Sequence, residues 1–365
     1  MPRLPWRSLL VWSLAPTVLV AGYALWDLST TRDTLGGLVV TGPQVPGAEV
    51  LRAELGDDAV NEAGKHDGAF FYAIARDPFS PGTAAAGLDG PRYRLQRIAF
   101  PLAAWVLHPT GGGVGLEWAM FAVGVASILG GSLATGALSV TLRGPPWPAA
   151  LFAAAVGSFI SLRISVPDPM ALGLAVAAIV LVLRGHLVAA LVAAVAAGLT
   201  REVILVVFAG WLLSRRDRDA LVLFAVPSLV VAAWGAYLLR AVAPGETTVN
   251  FGPPFVGVVD SFRFWFQGHE PLGLVGFLLG VGVGIAGLAR RGLRHPLAGA
   301  VLASLAFLVP LTASVLAPER NANRMVMPVF VLGIVMLVTP TDALPPPPPW
   351  RAVLGRPGRR ARVSG

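Results

Sequence analysis

From 118 through 142 the chain runs 25 residues without a charged side chain, and from 8 through 26 it runs another 19. Hydrocarbon offers no water to backbone N–H and C=O groups, so a run of this kind satisfies them internally, as a helix. About 20 apolar residues cross a ~30 Å hydrocarbon core. The pattern recurs at 8–26, 116–142, 147–162, 170–183, 186–199, 203–213, 220–239, 272–288, 297–316 and 325–338, ten segments in all. This predicts an all-α polytopic membrane protein. The four segments between 147 and 213 are short for a full crossing, so some are expected to be broken or only partly spanning. Composition agrees: 13% of the 365 residues are charged and the mean hydropathy is +0.70. Soluble domains carry about 25% charged residues.

The first segment reads as a retained span rather than a signal peptide, because it is long and no small-x-small cleavage site follows. Charge then orients the chain. With a cytoplasmic N-terminus, the inner pieces hold 15 of the 28 cations and only 3 of the 20 acids. The positive-inside rule is satisfied along the whole length. Both termini are expected in the cytoplasm, with residues 1–340 forming one transmembrane domain. The tail, 341–365, contains five consecutive prolines and then basic residues, a stiff spacer followed by disorder. The net charge of +8 is therefore an orienting charge facing anionic lipid, not a nucleic-acid footprint. The chain has no cysteine, which excludes disulfides and thiolate chemistry.

Two extracytoplasmic loops follow, 27–115 and 240–271. The first is acidic and Gly/Pro-punctuated up to residue 62, and its motifs lie in 61–105. In His66-Asp67-Gly68, Asp67 falls where a helix N-cap belongs, because Phe71, Ile74 and Ala75 have helical spacing and Pro78 stops the run. One reading is a cap. The other is a carboxylate that accepts a proton from a hydroxyl, with Gly68 leaving room for a substrate. Asp77-Pro78 reads as turn chemistry or a second polar contact. Phe70, Phe71 and Tyr72 read as interfacial anchors or as a stacking face for sugar. Further on, Ile98, Pro101, Leu102 and Trp105 make one stripe, which predicts an amphipathic helix lying on the outer membrane surface. Arg94 and Arg97 would mark its start, where positive charge opposes the helix dipole unless an anion is near. Arginine's planar fork suits phosphate; snorkelling to lipid phosphates is the alternative.

Later outer loops repeat this oddity. Arg201, followed by Glu202, and the pair Arg320 and Arg324 stand on the disfavoured side at the starts of spans. Pairing with Glu202 or Glu319 is one explanation; a shared outer pocket for a phosphorylated lipid is the other. Asp168, between Pro167 and Pro169, reads as a turn residue, which leaves Asp67 as a lone acid facing several guanidinium groups. The five histidines are scattered without ligand spacing, and there is no Walker loop and no G-x-S-x-G.

The run HDGAFFYAIARDPF followed by YRLQRIAFPLAAW resembles bacterial polytopic proteins of cell-surface glycopolymer formation, and more distantly GT-C glycosyltransferases. Such enzymes have many spans, a long first outer loop with a catalytic acid, and a surface-lying helix. They transfer sugar from a polyprenyl-phosphate carrier. The resemblance implies that Asp67 is the catalytic base. It makes His66, Tyr72, Asp77, Arg94, Arg97, Arg201, Glu202, Arg320 and Arg324 the substrate-binding set. The expected partners are a polyprenyl-phosphate-linked sugar, a glycan or glycolipid acceptor and membrane lipid. Many GT-C members carry paired acids in this loop; here Gly68 follows Asp67 and the loop has no D-x-D, so no cofactor or divalent metal is specified. The rival expectations are a transporter or lipid-carrier flippase, and a non-catalytic subunit of surface-polymer assembly.

Overall fold

The computed structural model describes residues 3–31, 38–60, 67–245 and 249–344. Every apolar segment is helical, and the described residues contain no strand, only two isolated bridges. A long helix, α1 (Trp6–Thr31), leads into the first long loop, expected on the outer side, which folds into five short helices. These are α2 (Ala48–Leu55), α3 (Gly68–Arg76), α4 (Pro81–Ala85), α5 (Pro91–Leu95) and α6 (Ala99–Leu107). The bundle follows with α7 (Val114–Thr141), α8 (Pro148–Ala154), α9 (Val156–Arg163), α10 (Asp168–Leu183), α11 (Leu187–Thr200), α12 (Leu205–Arg215) and α13 (Arg218–Ala241). It closes with α14 (Val256–Phe266), α15 (Pro271–Arg291), α16 (Ala298–Leu308), α17 (Ala313–Leu316) and α18 (Glu319–Val338). Among the described residues five helices, α1, α7, α13, α15 and α18, are long and apolar enough to cross a membrane.

The expected span at 147–162 is broken. Ala155 is extended (φ −60°, ψ 131°) between α8 and α9. The Ser158 hydroxyl donates to the Phe152 carbonyl at 2.7 Å, one of those the break releases. Elsewhere small residues bring helices into contact. A Cβ on Gly333 of α18 would lie 3.0 Å from Gly284 of α15, so these two backbones touch, as glycine permits between apolar helices.

This long loop has its own core. Phe70, Phe71 and Tyr72 are 7%, 1% and 1% exposed, so they are core residues and not interfacial anchors. With Leu95 and Phe100 they pack on Leu116 and Met120 of α7. The stripe expected at 98–105 is also rotated. The helix starts at Ala99 and buries Phe100, Pro101 and Ala104, while Ile98, Leu102 and Trp105 are half-buried. Trp105 meets the exposed Phe79 edge-on. Arg94 closes the short α5 instead of opening a long helix, so the conflict with the dipole is small there.

Loops expected on the same membrane side meet at the same end of the bundle. At the arginine-rich end, Arg143 donates to the Asp342 carbonyl, Arg291 to that of Leu337 at 2.9 Å, and Arg184 to Thr141 at 3.3 Å. The opposite end holds the site described next.

Candidate functional site

Asp67 immediately precedes α3. Its carbonyl accepts from the Phe70 and Phe71 amides at 3.0 and 3.3 Å, but its carboxylate makes no capping bond. The cap reading is thus corrected: both oxygens turn to cations. One accepts from Arg94 at 3.0 Å, and the other lies 3.5 Å from Arg324. Gly68 leaves room for backbone rather than for substrate, since a Cβ there would sit 2.3 Å from the Ile164 carbonyl oxygen.

Each arginine is held on more than one side. Arg94 forks onto Asp89 at 2.9 and 3.2 Å, with its guanidinium over the Phe70 ring. Arg97 forks onto Glu202 at 3.0 and 2.8 Å, stacks on Tyr93 and donates to its hydroxyl. Arg201 pairs with Asp168, and Arg324 lies 3.7 Å from the same acid while donating to Asn321 at 2.6 Å. Local pairing with Glu202 or Glu319 is therefore not what holds Arg201 and Arg324. All four arginines are less than a tenth exposed. They face four acids, Asp67, Asp89, Asp168 and Glu202, so the expectation of a lone acid is also corrected.

This balance explains the electrostatics. Burial would raise the Asp67 carboxyl, but Arg94, Arg324, Arg97 and Arg201 overcome it and hold the group well below the usual carboxylate range. For Glu202 burial is likewise outweighed by Arg97, leaving it down at about 2. Arg201 moves the other way: burial first, then Arg97 and Arg324, pull it below the ordinary arginine range. Its Nε and that of Arg324 are buried without a hydrogen-bond partner, as is one Asp168 oxygen. Such orphans are costly in a closed site. The two Nε donors fit a site that receives an anion; the Asp168 oxygen does not.

Six of the eight groups, all but Asp89 and Asp168, border a cavity of about 230 Å³, walled also by Asn250 and Phe251 from the 240–271 loop and by Ser314. Next to it a narrow apolar hollow of about 40 Å³, between Leu172, Val207 and Pro328, shares Arg201 and Arg324. Of the residues expected from sequence, Asp67, Arg94, Arg97, Arg201, Glu202 and Arg324 meet at this cavity. Tyr72 and Asp77 line a separate cleft of about 700 Å³ with Arg76, and Tyr72 donates to Glu54 at 2.6 Å. Arg320 is half-buried in α18 and does not line the cavity. His66 lies outside the described residues. Sequence reading missed Asp89 and took Asp168 for a turn residue; no local signal marked either as an arginine partner. No group of three or more His, Asp or Glu among the described residues is arranged to hold a metal.

No family model, no curated protein and no solved structure matches the chain.

Proposed function

We propose that this chain is an integral-membrane glycosyltransferase of GT-C type, moving sugar from a polyprenyl-phosphate carrier to a cell-envelope glycan on the extracytoplasmic face. In this reading all ten apolar segments sit in the membrane and the short outer-loop helices lie at its surface. The observation that carries it is the convergence of Asp67 and four buried arginines, from separate segments of the chain, on one cavity. The orphaned Nε groups of Arg201 and Arg324 suit a phosphate.

The resting site holds Asp67 too acidic for a good base, which works best with a pKa near the operating pH. A donor phosphate against Arg324 and Arg201 would cancel part of their field and raise the Asp67 carboxyl. Asp67 then takes the proton of the acceptor hydroxyl as its oxygen bonds to the anomeric carbon. The bond from that carbon to phosphate oxygen breaks, polyprenyl phosphate leaves with the electron pair, and the sugar inverts. The transporter alternative expects ionisable groups at mid-membrane. Here Glu117, Asp168, Glu202 and Arg324 all lie within the first two turns of their helical segments, which favours chemistry at one face.

The test is Asp67→Asn in membranes supplied with polyprenyl-linked sugar, at matched expression. Loss of transfer is expected; transfer at the wild-type rate removes Asp67 from its role.

A further inference from the structure

A second large cavity opens at the opposite, arginine-rich end, between the end of α12 and the start of α16. Its volume is about 950 Å³. Its mouth carries Arg216 and Arg294, and its wall runs down α16 through Leu302, Ala303 and Ala306. From Ala298 to Ala306 that wall extends about 12 Å at the rise of an α-helix. Charge sits at one end and apolar surface along the rest, as in a phospholipid with one head and its upper acyl segments.

The polar inventory fits the head. Arg216, at the left-handed residue that ends α12 (φ 53°), is exposed, and its Nε donates to the Leu213 carbonyl at 3.1 Å; among the described residues it forms no ion pair. Arg294 is exposed and forms no ion pair among the described residues. Asp342 also reaches the mouth and offsets one charge, while Ser214 is engaged by the Gly299 amide at 2.6 Å. The surroundings stay positive, with Arg143, Arg184, Arg290 and Arg291 at the same end. Leu213, Leu293 and Leu302 are 59%, 71% and 41% exposed around this mouth, apolar surface that a protein in lipid covers with acyl chain.

We infer that this groove is a binding site for one anionic phospholipid, its phosphate between Arg216 and Arg294 and an acyl chain along α16. Basic pockets between helices on the cytoplasmic side recognise anionic head groups by this combination. The inference needs only that the chain be embedded in a bilayer; it is independent of glycosyl transfer, so either can fail alone.

The full chain is purified in mild detergent, exchanged into nanodiscs of phosphatidylglycerol and phosphatidylcholine, and its retained lipid is counted by native mass spectrometry. Wild-type protein should retain one phosphatidylglycerol in preference to phosphatidylcholine. The double variant Arg216→Gln/Arg294→Gln should lose roughly tenfold or more of that preference, two arginines' worth near an anionic surface. Arg290→Gln, at the same end but outside the groove, should keep it. Leu302→Trp, which fills the apolar wall and leaves both charges, should displace the lipid and serves where the double variant does not fold. Equal preference in all variants overturns the site. So does release of the lipid by millimolar inorganic phosphate alone, which would assign the arginines to a soluble anion.

Discussion

Asp168 stands between two prolines, a neighbourhood that reads as a turn, yet its side chain joins Arg201 and Arg324. Those partners lie 33 and 156 residues away in sequence, and no local pattern encodes a contact at that separation. Arg94, Arg97, Arg201 and Arg324 were legible for a physical reason: they carry positive charge where orientation or the helix dipole disfavours it. Two of their counterions, Asp89 and Asp168, were not. Glu202 shows the cost of separating such a pair. Arg97 is 4% exposed and depends on that carboxylate for both arms of its fork. Glu202→Gln should destabilise the protein by about 3 kcal/mol, the low end for breaking a buried pair. The apolar double variant Arg97→Met/Glu202→Leu should recover most of the loss in thermal unfolding. An unchanged midpoint in the single variant would mean the pair contributes nothing. Acid should act likewise. Glu202 falls from an ordinary 4.5 to about 2 in the fold. Its stabilisation is complete above pH 4.5 and is lost as pH falls through about 2. Asp67 is shifted in the same direction. The wild-type midpoint should therefore drop on acidification below pH 4.5, and Glu202→Gln should flatten part of that drop.

At the scale of elements, hydrophobic runs located the bundle helices well, because their length and lack of charge admit little else. The outer loop was harder. Its helices are five to nine residues long, too short for periodicity to fix a buried face, and tertiary packing decides it. The stripe at 98–105 rotated for that reason. The helix α14 was hidden inside what reads as a polar loop, although Phe255, Val259 and Phe266 leave apolar surface exposed there. The start of α3 is fixed by contact rather than by capping. A Cβ at Gly68 would meet the Ile164 carbonyl oxygen at 2.3 Å and that of Leu38 at 3.1 Å, so the helix would have to withdraw and carry Asp67 with it. Gly68→Ala should cost about 1–3 kcal/mol, as overpacking does, and should lower both the thermal midpoint and sugar transfer. Gly82→Ala in α4, where a Cβ meets nothing within 4 Å, is the matched control and should change neither. If the two variants behave alike, α3 does not depend on that contact.

For the whole molecule, two independent regularities coincide. Arginine placement divides the loops into two sets by charge alone. The folded chain brings members of one set together around Asp67 and members of the other around Arg143, Arg291 and Asp342. A soluble helical bundle has no reason to sort its loops by charge; a chain inserted through a bilayer does. Under the orientation expected from the positive-inside rule, the Asp67 cavity opens on the outer face, as the proposed transfer requires. The sequence contains no cysteine, so a single introduced thiol reports its side without background. Thr83 is exposed on α4 beside the cleft that Tyr72 and Asp77 line, and Leu293 is 71% exposed between α15 and α16. Thr83→Cys should react with a membrane-impermeant maleimide in intact cells. Leu293→Cys should react only after the membrane is opened. The reverse pattern would turn the cavity toward the cytoplasm, and an outer-face transferase would then be the wrong reading however well its arginines are placed.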